Sequence, residues 1–183
     1  MTKIPTGIAD CWILEPKVFG DERGFFLESW NSKTFESLGL GAVMVQDNHS
    51  RSKQFTLRGL HYQAGAAAQD KLVWVTSGEV FDVVVDLRTS SPSFGKWEGI
   101  HLTEANARRV WVPKGCAHGF LVLSDVVDFQ YKCTAFYSPA HERCLRWDDA
   151  DLAIAWPLPT GVRPLVSQKD AQGDSFARCD KFS

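Results

Sequence analysis

The chain has 183 residues, of which 44% are hydrophobic and 23% charged, and its net charge is −2. These values are those of an ordinary folded protein, and we expect a single domain over residues 1–183. Because no dense run of Lys or Arg is present, the composition argues against bulk electrostatic binding to nucleic acid or to an anionic membrane surface. A small anionic ligand needs only a few arginines and stays compatible with this charge.

The cysteines favour a reducing compartment. Five of them are scattered along the chain without a Cys-x-x-Cys pair: Cys11, Cys116, Cys133, Cys144 and Cys179. Free thiols are therefore expected rather than a disulfide framework or a zinc knuckle. The first residues, "MTKIPTGIADCWILEPK", lack the apolar run of a signal peptide, and no stretch is long and apolar enough to span a bilayer. We therefore expect a cytoplasmic protein without a membrane partner.

Taken in chain order, the predicted elements are mostly strands. A short helix is expected from Ser32 to Leu38, and the β-branched run "KLVWVTSGEVFDVVVDL" (71–87) predicts a hairpin with Gly78 in its turn. A Ser/Pro/Gly-rich loop (89–99) follows, then strand-like segments at 108–113 and 119–137. A C-terminal helix and tail begin at about residue 167, where "SQKD" has the spacing of a capping box. Short strands at frequent turn signals predict an all-β sandwich or barrel with a few short flanking helices.

Two histidine segments carry the chemistry. "PKGCAH" (113–118) fits Pro-x-Gly-x-x-His, which resembles the second motif of the cupin-type jelly-roll barrels. "RGLHYQ" (58–63) followed by "KLVWVTSG" resembles a degraded first cupin motif, with His61 at its first position. Gln63 stands where metal-binding cupins have a second histidine, and Lys71 stands where they have a glutamate. Strand alternation places His61 and Gln63 on one face.

This substitution pattern argues against a metal. A divalent ion needs neutral imidazoles and a carboxylate, whereas a lysine ammonium repels the cation and offers no lone pair. The same ammonium is suited to stabilising an oxyanion. We therefore expect no metal ligands and no cofactor, which agrees with the lack of a Gly-rich dinucleotide loop.

A longer series of segments identifies a family. "FGDERGFFLESWN" (19–31), "VQDNHSRS" (45–52), "LRGLHYQ", "GEVFDVVVDLR" (78–88), "SPSFGKW", "PKGCAHGF", "YKCTAFYSP" (131–139) and "SQKD" occur in this order. Together they resemble the dTDP-4-dehydrorhamnose 3,5-epimerases, which act in dTDP-L-rhamnose synthesis. The resemblance runs from about residue 4 to residue 170 and implies a metal-free cupin jelly roll that forms a homodimer with shared active sites.

The resemblance also implies roles for individual residues. The catalytic set would be His61 as base, Asp170 as the group that orients it, Lys71 beside the C4 oxygen of the sugar, and Tyr131 as acid. Tyr137 would stack on thymine, and it shares the strand parity of Tyr131 if that strand continues far enough. The remaining substrate-binding positions would be Arg23, Glu28, Gln46, Asn48, Arg58, Gln63, His118 and Glu142, with Arg23 and Glu28 supplied by the partner subunit.

The chemistry of the implied reaction suits these side chains. The C3 and C5 protons of a 4-keto sugar are acidic because their removal gives an enolate, so the reaction needs a base, an acid on the opposite face and a cation at the oxygen. An imidazole, with an ordinary pKa near ~6.5, serves as a base at neutral pH. A carboxylate on its far nitrogen fixes the tautomer. Arginines such as Arg23 and Arg58 suit a diphosphate.

Three other functions stay open from the residues. A 3-epimerase or 5-epimerase acting on another dTDP-4-keto-deoxysugar would use the same groups. A sugar-binding cupin without catalysis would not need both His61 and Tyr131. A metal-dependent cupin oxygenase or isomerase would contain a stoichiometric metal that its activity requires.

Overall fold

The computed structural model describes residues 1–183, which form thirteen β-strands, two α-helices and one 3₁₀ turn, Gly65–Ala67. The strands are β1 (Thr2–Pro5), β2 (Trp12–Glu15), β3 (Val18–Asp21), β4 (Gly24–Leu27), β5 (Gln46–Lys53), β6 (Leu57–Gln63), β7 (Lys71–Ser77), β8 (Glu79–Asp86), β9 (Trp97–Thr103), β10 (Arg109–Val112), β11 (Cys116–Val122), β12 (Val126–Cys133) and β13 (Glu142–Cys144). The helices are α1 (Ser32–Ser37) and α2 (Gln168–Ala171). Neither helix has the length and apolar character needed to cross a membrane.

Two antiparallel sheets pack face to face. Sheet I has six strands in the order β1-β2-β10-β7-β12-β5, and sheet II has five in the order β13-β6-β11-β8-β9. Strands β3 and β4 form a separate hairpin that joins neither sheet. The frequent crossing of the chain between the two sheets is typical of a jelly roll, so the predicted all-β cupin-type architecture is confirmed.

The alternation of side chains along the strands builds three apolar layers. Fifteen buried residues, including Val73, Val84 and Phe129, fill the space between the sheets. The outer face of sheet II packs against the C-terminal tail, with Leu60 and Tyr62 among its buried residues. The outer face of sheet I packs against α1 and the N-terminal region. Both sheets are therefore covered on two sides over part of their area, which explains why β7 and β8 are nearly continuous apolar runs.

The prediction of a hairpin over 71–87 was wrong in one respect. The turn lies at Gly78, as expected, but β7 belongs to sheet I and β8 to sheet II, so the two strands do not pair with each other. Gly78 has φ +82°, and a Cβ on it would lie 2.2 Å from the carbonyl oxygen of Val126. The glycine therefore permits a sharp change of sheet rather than a two-stranded turn. The loop predicted over 89–99 also ends earlier than expected, because β9 begins at Trp97.

The two predicted helices are both present. Asn31 caps α1 through hydrogen bonds from the backbone N–H groups of Lys33 and Thr34, and Phe35 anchors the helix in the core. Ser167 caps α2, where its Oγ accepts from the backbone N–H of Asp170 at 3.1 Å. The helix is only four residues long, so most of the interactions that stabilise it must come from residues outside the helix.

The tail after α2 is tied to sheet II. The N–H of Asp174 donates to the carbonyl oxygen of Cys144, and its own carbonyl accepts from Arg146. Further along, Tyr62 Oη donates to the carbonyl of Asp180 at 3.1 Å, and Phe182 exchanges backbone hydrogen bonds with the segment after β8. The tail, for which the sequence indicated no role, thus covers sheet II and fixes the position of α2.

Candidate active site

A cavity of about 260 Å³ opens between the two sheets. Its lining includes eight of the residues expected to bind or transform substrate: Arg58, His61, Gln63, Lys71, His118, Tyr131, Tyr137 and Glu142. Residues separated by more than 80 positions in the sequence therefore meet at one place. The expectation that His61 and Gln63 share a face agrees with this arrangement, since both line the cavity.

The candidate base and the candidate acid come from opposite sheets. His61 lies on β6 of sheet II, where it pairs with His118 of β11. Tyr131 and Lys71 both come from sheet I, on β12 and β7, and in the register of these strands Cys133 faces Lys71. Because alternate residues share a face, Tyr131 and Lys71 point to the same side of sheet I. A ligand between the sheets would have the imidazole on one side and the phenol and ammonium on the other.

His61 and Asp170 form a close pair. His61 Nε2 lies 2.6 Å from Asp170 Oδ1, and the carboxylate side chain is only 5% exposed. Burial raises the pKa of Asp170, but the hydrogen bond and charge of His61 outweigh it and leave this pKa below its ordinary value. An ionised carboxylate only accepts, so Nε2 carries the hydrogen, and in the neutral ring Nδ1 keeps its lone pair. Nδ1 makes no hydrogen bond within the chain, so it is available to take a proton from a ligand in the cavity.

Lys71 is a buried ammonium group without a carboxylate partner. Its Nζ donates to the carbonyl oxygen of His61 at 3.2 Å, and no acidic side chain lies within ion-pairing distance. Burial lowers its pKa, while the charges of Cys133, Asp82 and Glu142 oppose that effect. A buried donor of this kind gains most from an anion that enters the cavity, because the low local dielectric strengthens the attraction.

Tyr131 is placed as a proton donor. Burial raises the pKa of its phenol above the ordinary value, with smaller contributions from Cys133 and Glu142 in the same direction. The hydroxyl group therefore stays protonated at neutral pH, as an acid must before it reacts. Its ring packs against Phe129, with 6.4 Å between the ring centroids.

Tyr137 reaches the cavity from a loop rather than from a strand. Because β12 ends at Cys133, the strand does not last as far as Tyr137, and the parity argument for this residue does not hold. The ring is 53% exposed at the mouth of the cavity, and its hydroxyl donates to Glu142 Oε2 at 2.6 Å. Glu142 also forms an ion pair with Lys169. An exposed ring fixed at its hydroxyl end is suited to stacking on a flat ligand.

The cupin metal position is occupied by side chains that suit other roles. The Gln63 amide forms hydrogen bonds with the backbone at both its nitrogen and its oxygen. Nε2 donates to the carbonyl oxygens of Ala67 and Phe136, and Oε1 accepts from the backbone N–H of Ser138. His118 is bonded through Nε2 to the fully buried Asp82, at 2.8 Å. The donor set therefore does not fit the cation that the motif holds in metal-binding cupins.

Gly59 explains the glycine in "RGLHYQ". It has φ +112°, and a Cβ on it would lie 2.7 Å from both the Cα of Gly119 and the carbonyl oxygen of His118. Only glycine therefore lets β6 approach β11 closely enough to bring His61 beside His118. Arg58, the residue before it, donates from Nε to Ser52 Oγ at 3.0 Å and lines the cavity with its guanidinium otherwise uncommitted.

Gln46 and Asn48 lie on β5, next to the strand of Tyr131. Asn48 is the register partner of Tyr131, and Gln46 Nε2 donates to Asn48 Oδ1 at 2.9 Å. Gln46 Oε1 accepts from the backbone N–H of Tyr137 at 2.9 Å. Neither amide lines the cavity of the chain, but Gln46 holds the loop that presents the Tyr137 ring, and Asn48 holds Gln46.

Arg23 and Glu28 are not at the cavity of their own chain. Arg23 lies at the tip of the β3–β4 hairpin, where its Nη2 bonds to Asp21 Oδ2 at 2.6 Å. Glu28 accepts hydrogen bonds from Asn31 and Thr34 at the start of α1. Neither residue lines the cavity.

Sequence reasoning missed several residues of the site. Asp82 lies in the apolar run "VFDVVVD" and supports His118. A carboxylate within such a run indicates a buried polar partner, because an unpaired buried charge is costly. Lys169 stands next to Asp170 within "SQKD" and pairs with Glu142. Ser50, Gln69 and the Phe120 ring also line the cavity without any local pattern that marks them.

Comparison with known proteins identifies the family. The model of the family described as dTDP-4-dehydrorhamnose 3,5-epimerase matches residues 5–178. The chain is 54% identical to the dTDP-4-dehydrorhamnose 3,5-epimerase of Pseudomonas aeruginosa over 96% of both chains. It superposes with a TM-score of 0.93 on a Legionella pneumophila dTDP-6-deoxy-D-glucose-3,5-epimerase in complex with dTDP-4-keto-L-rhamnose, at 49% identity and covering 98% of this chain and 94% of that one.

A more distant relative is described as a mono-epimerase, unlike the two 3,5-epimerases above. A 3′-monoepimerase of Streptomyces bikiniensis, in complex with dTDP-quinovose, gives a TM-score of 0.88 at 33% identity and covers 95% of this chain and 87% of its own. The family model and the P. aeruginosa relative each extend over nearly the whole chain. The chain therefore belongs to the dTDP-4-dehydrorhamnose 3,5-epimerase family.

Proposed function

We propose that this isomerase inverts C3 and C5 of dTDP-4-dehydro-6-deoxy-D-glucose to give dTDP-4-dehydro-L-rhamnose, in the synthesis of dTDP-L-rhamnose. The observation that carries the proposal is the His61–Asp170 pair, which faces Tyr131 and Lys71 across one cavity. Homologues at about 54% identity share this activity by name. The reaction needs no change of oxidation state, and the side chains of the cavity supply every proton transfer.

The first step removes a proton. His61 Nδ1 takes the proton from C3 or C5, and the C–H electron pair moves into a C=C bond while the C4 carbonyl becomes an enolate oxygen. Asp170 at 2.6 Å holds the ring in the tautomer with a free Nδ1 and stabilises the imidazolium that forms. The Lys71 ammonium lies where it can pair with the enolate oxygen, and its burial makes that interaction strong.

The second step returns a proton to the opposite face. Tyr131 Oη gives its proton to the same carbon from the side of sheet I, and the carbonyl reforms. The carbon is inverted because the base and acid come from opposite sheets. Before the next inversion the Tyr131 phenolate recovers a proton and His61 loses one.

The nucleotide is held by the residues around the mouth. Tyr137 supplies a ring for thymine, Arg58 a guanidinium for the diphosphate, and Gln46 and Asn48 amides for hydrogen bonds. Three further side chains complete the lining of the cavity: Gln63, Glu142 and His118. Asp82 holds His118 in position. The assignments of Tyr137, Arg58, His118, Glu142 and Gln63 follow the family resemblance together with the cavity that these residues line. Those of Gln46 and Asn48 follow the resemblance alone.

The active form is proposed to be a cytoplasmic homodimer. Arg23 and Glu28 lie away from the cavity of their own chain, on and beside a hairpin that joins neither sheet. That hairpin exposes Phe25 at 71% and Phe26 at 69%, an arrangement that favours burial against another protein surface. A second copy of the chain would receive the hairpin and with it Arg23 and Glu28.

The product distinguishes this activity from that of a mono-epimerase. The 3′-monoepimerase relative motivates this second candidate, because it retains the fold at 33% identity. Purified protein is incubated with dTDP-4-dehydro-6-deoxyglucose, and a reductase with NADPH traps the product. Proton NMR couplings then give the configuration at each carbon. We expect inversion at both C3 and C5; inversion at one carbon alone would assign a mono-epimerase instead, and no turnover would remove the proposal.

A further inference from the structure

Cys144 lies beside His61, the candidate base. Cys144 of β13 is the register partner of His61 on β6. Its sulfur, a ring nitrogen of His61 and a carboxylate oxygen of Asp170 all lie within 4.8 Å of one another. The proposed reaction uses His61 and Asp170 but has no role for the thiol.

These three donors suit one kind of ion. Thiolate, imidazole and carboxylate are the ligands of zinc-class divalent ions, with bond lengths near 2.0–2.3 Å and donor atoms roughly 3.3–3.8 Å apart around a tetrahedral centre. The present separations bracket that spacing: His61 Nε2 and Asp170 Oδ1 are 2.6 Å apart, and the widest donor pair is within 4.8 Å. Small rotations of the side chains would bring all three to one ion.

We propose that His61, Cys144 and Asp170 form an inhibitory site for a zinc-class divalent ion, and that its occupation switches off the epimerase base. The inhibitory consequence rests on the proposed role of His61. The site shares His61 with the cupin metal position but takes Cys144 and Asp170 as its other donors. The remaining residues of the cupin position, Gln63, Lys71 and His118, line the substrate cavity.

A separate groove gives access to the sulfur. Cys144 lines a shallow cleft beside α2, together with Ser167, Lys169 and Asp174, and does not line the substrate cavity. An ion that enters this cleft would approach Cys144 without passing through the substrate cavity. Water from the groove would supply the fourth ligand of a tetrahedral ion.

The local charge is compatible with a cation. The two basic side chains nearest to Cys144 along the groove are already paired, Lys169 with Glu142 and Arg143 with Asp180. Asp170 supplies one negative charge. Burial raises the pKa of the Cys144 thiol to about 12, so this residue supplies the second charge only when the ion displaces its proton. The ligand set thus balances the two positive charges of the ion.

Binding has a defined proton balance. The Cys144 thiol loses its proton to solvent when its sulfur binds the ion. Nε2 of His61 needs its lone pair for the ion, so the ring proton moves from Nε2 to Nδ1. The protonated Nδ1 cannot accept the C3 or C5 proton of the sugar. One proton is released for each ion bound, and proton abstraction stops.

The test compares zinc inhibition of wild-type protein and Cys144→Ser. The serine variant keeps the shape of the side chain, and its activity without zinc should equal that of the wild type. Zn²⁺ should inhibit the wild type, EDTA should reverse the inhibition, and Mg²⁺ should have no effect. The zinc concentration for half-inhibition should rise at least about tenfold in Cys144→Ser, since even outer ligand partners contribute 10–100-fold to metal affinity. His101→Gln, which removes an exposed histidine paired with Glu79 at 3.0 Å, serves as the matched control and should leave the inhibition unchanged.

Direct binding separates this site from the proposed reaction. Co²⁺ added to the wild type should give a thiolate-to-cobalt charge-transfer band that Cys144→Ser lacks, and weakly buffered solutions should show release of one proton per ion. Equal zinc inhibition of both proteins, no inhibition, or a thiolate band without loss of activity would each overturn the proposal. Protein that shows the cobalt band but no epimerase activity before metal is added would instead overturn the proposed function and with it the inhibitory role.

Discussion

At the scale of single residues, Lys71 brings an unpaired ammonium into the space between the sheets. Its Nζ makes one hydrogen bond within the chain, to the carbonyl oxygen of His61 at 3.2 Å. A buried charge without a counter-ion is costly to the fold, so its stabilising partner is expected to be the substrate. The enolate oxygen carries the full negative charge that the ketone lacks, which makes the interaction stronger in the transition state than in the ground state.

Lys71→Ala should therefore lower kcat far more than it raises KM. A preorganised donor to a developing oxyanion is typically worth about 3 kcal/mol, or roughly 10²–10³-fold in kcat. The coupled assay with the reductase measures both constants. Lys114→Ala, which removes an exposed lysine from the neighbouring "PKGCAH" turn, should keep wild-type values. Unchanged turnover in Lys71→Ala would remove the lysine from the mechanism.

Tyr131→Phe tests whether His61 on sheet II removes the proton while Tyr131 on sheet I returns one. The variant keeps the base, the lysine and most of the ring packing, but it deletes the donor. The enolate should still form and be protonated again by His61 on the original face. In D₂O, NMR should show deuterium at C3 or C5 with retained configuration while net epimerisation falls.

The matching variant on the other sheet is His61→Ala, which should lose both exchange and epimerisation. A water molecule can partly replace the phenol, so the expected result for Tyr131→Phe is a changed ratio of exchange to inversion. Wild-type inversion of both centres by Tyr131→Phe would show that Tyr131 is not the acid.

At the scale of elements, α2 is a four-residue helix that carries Asp170 to His61. Its first turn is capped by Ser167, and the chain after it is tied to β13 through Asp174. Strand β13 pairs in turn with β6, the strand of His61. Both members of the proposed catalytic pair are thus positioned by the same short strand, which limits their relative motion.

Ser167→Ala should reduce kcat with little change in KM. Loss of an N-cap costs about 1 kcal/mol, and in so short a helix that loss loosens the position of Asp170. Steady-state kinetics and thermal unfolding are measured together. Asn106→Ala removes comparable side-chain bonds to the backbone, from Thr103 and Arg108, in a turn away from the cavity. It should lower stability without lowering kcat, and an equal fall of kcat in both variants would assign Ser167 a general role in stability.

The sequence predicts some elements well because their signals are local. The strand alternation around His61, the Gln63 and Lys71 positions in the broken metal motif, and the Ser167 cap each depend on a few neighbouring residues. The pairing of β7 and β8 is different. A glycine turn at Gly78 is compatible with strands in one sheet or in two, and the choice depends on contacts with strands far along the chain.

The same distinction applies to the site. His61 and Asp170 are separated by 109 positions, and only the family resemblance connects them before the fold is known. Asp82 could not be assigned to the site from local pattern, and the position of Cys144 beside His61 could not be foreseen, since the sheet register decides what lies beside each histidine. Tyr137 would share the strand face of Tyr131 only if that strand continued to it, but β12 ends at Cys133 and Tyr137 reaches the cavity from the following loop.

At the scale of the whole molecule, the proposed dimer divides each active site between two chains. An Arg23→Ala chain lacks a group that it would contribute to the active site of its partner. A His61→Ala chain lacks a group of its own active site. Each homodimer should be inactive or strongly impaired. A mixture of the two should recover activity, because the heterodimer assembles one intact site from the unaltered halves.

The recovered activity should follow the heterodimer fraction, which is measured with differently tagged chains after subunit exchange. A mixture of His61→Ala with Lys71→Ala is the matched control, since both changes affect the same half of the site and leave no heterodimer site intact. No recovery in the Arg23→Ala mixture after confirmed exchange would place Arg23 and His61 in the same site of one chain.

The long sequence separation between His61 and Asp170 also affects when activity begins during synthesis on the ribosome. The strands that surround the cavity emerge first, but the His61 imidazole gains its proposed orienting carboxylate only once Asp170, 109 positions further along the chain, has been translated. The tail that fixes α2 against sheet II emerges later still. A nascent chain can therefore form most of its barrel while its base stays unoriented, so that turnover of the sugar nucleotide begins only when synthesis of the C-terminal region is almost complete.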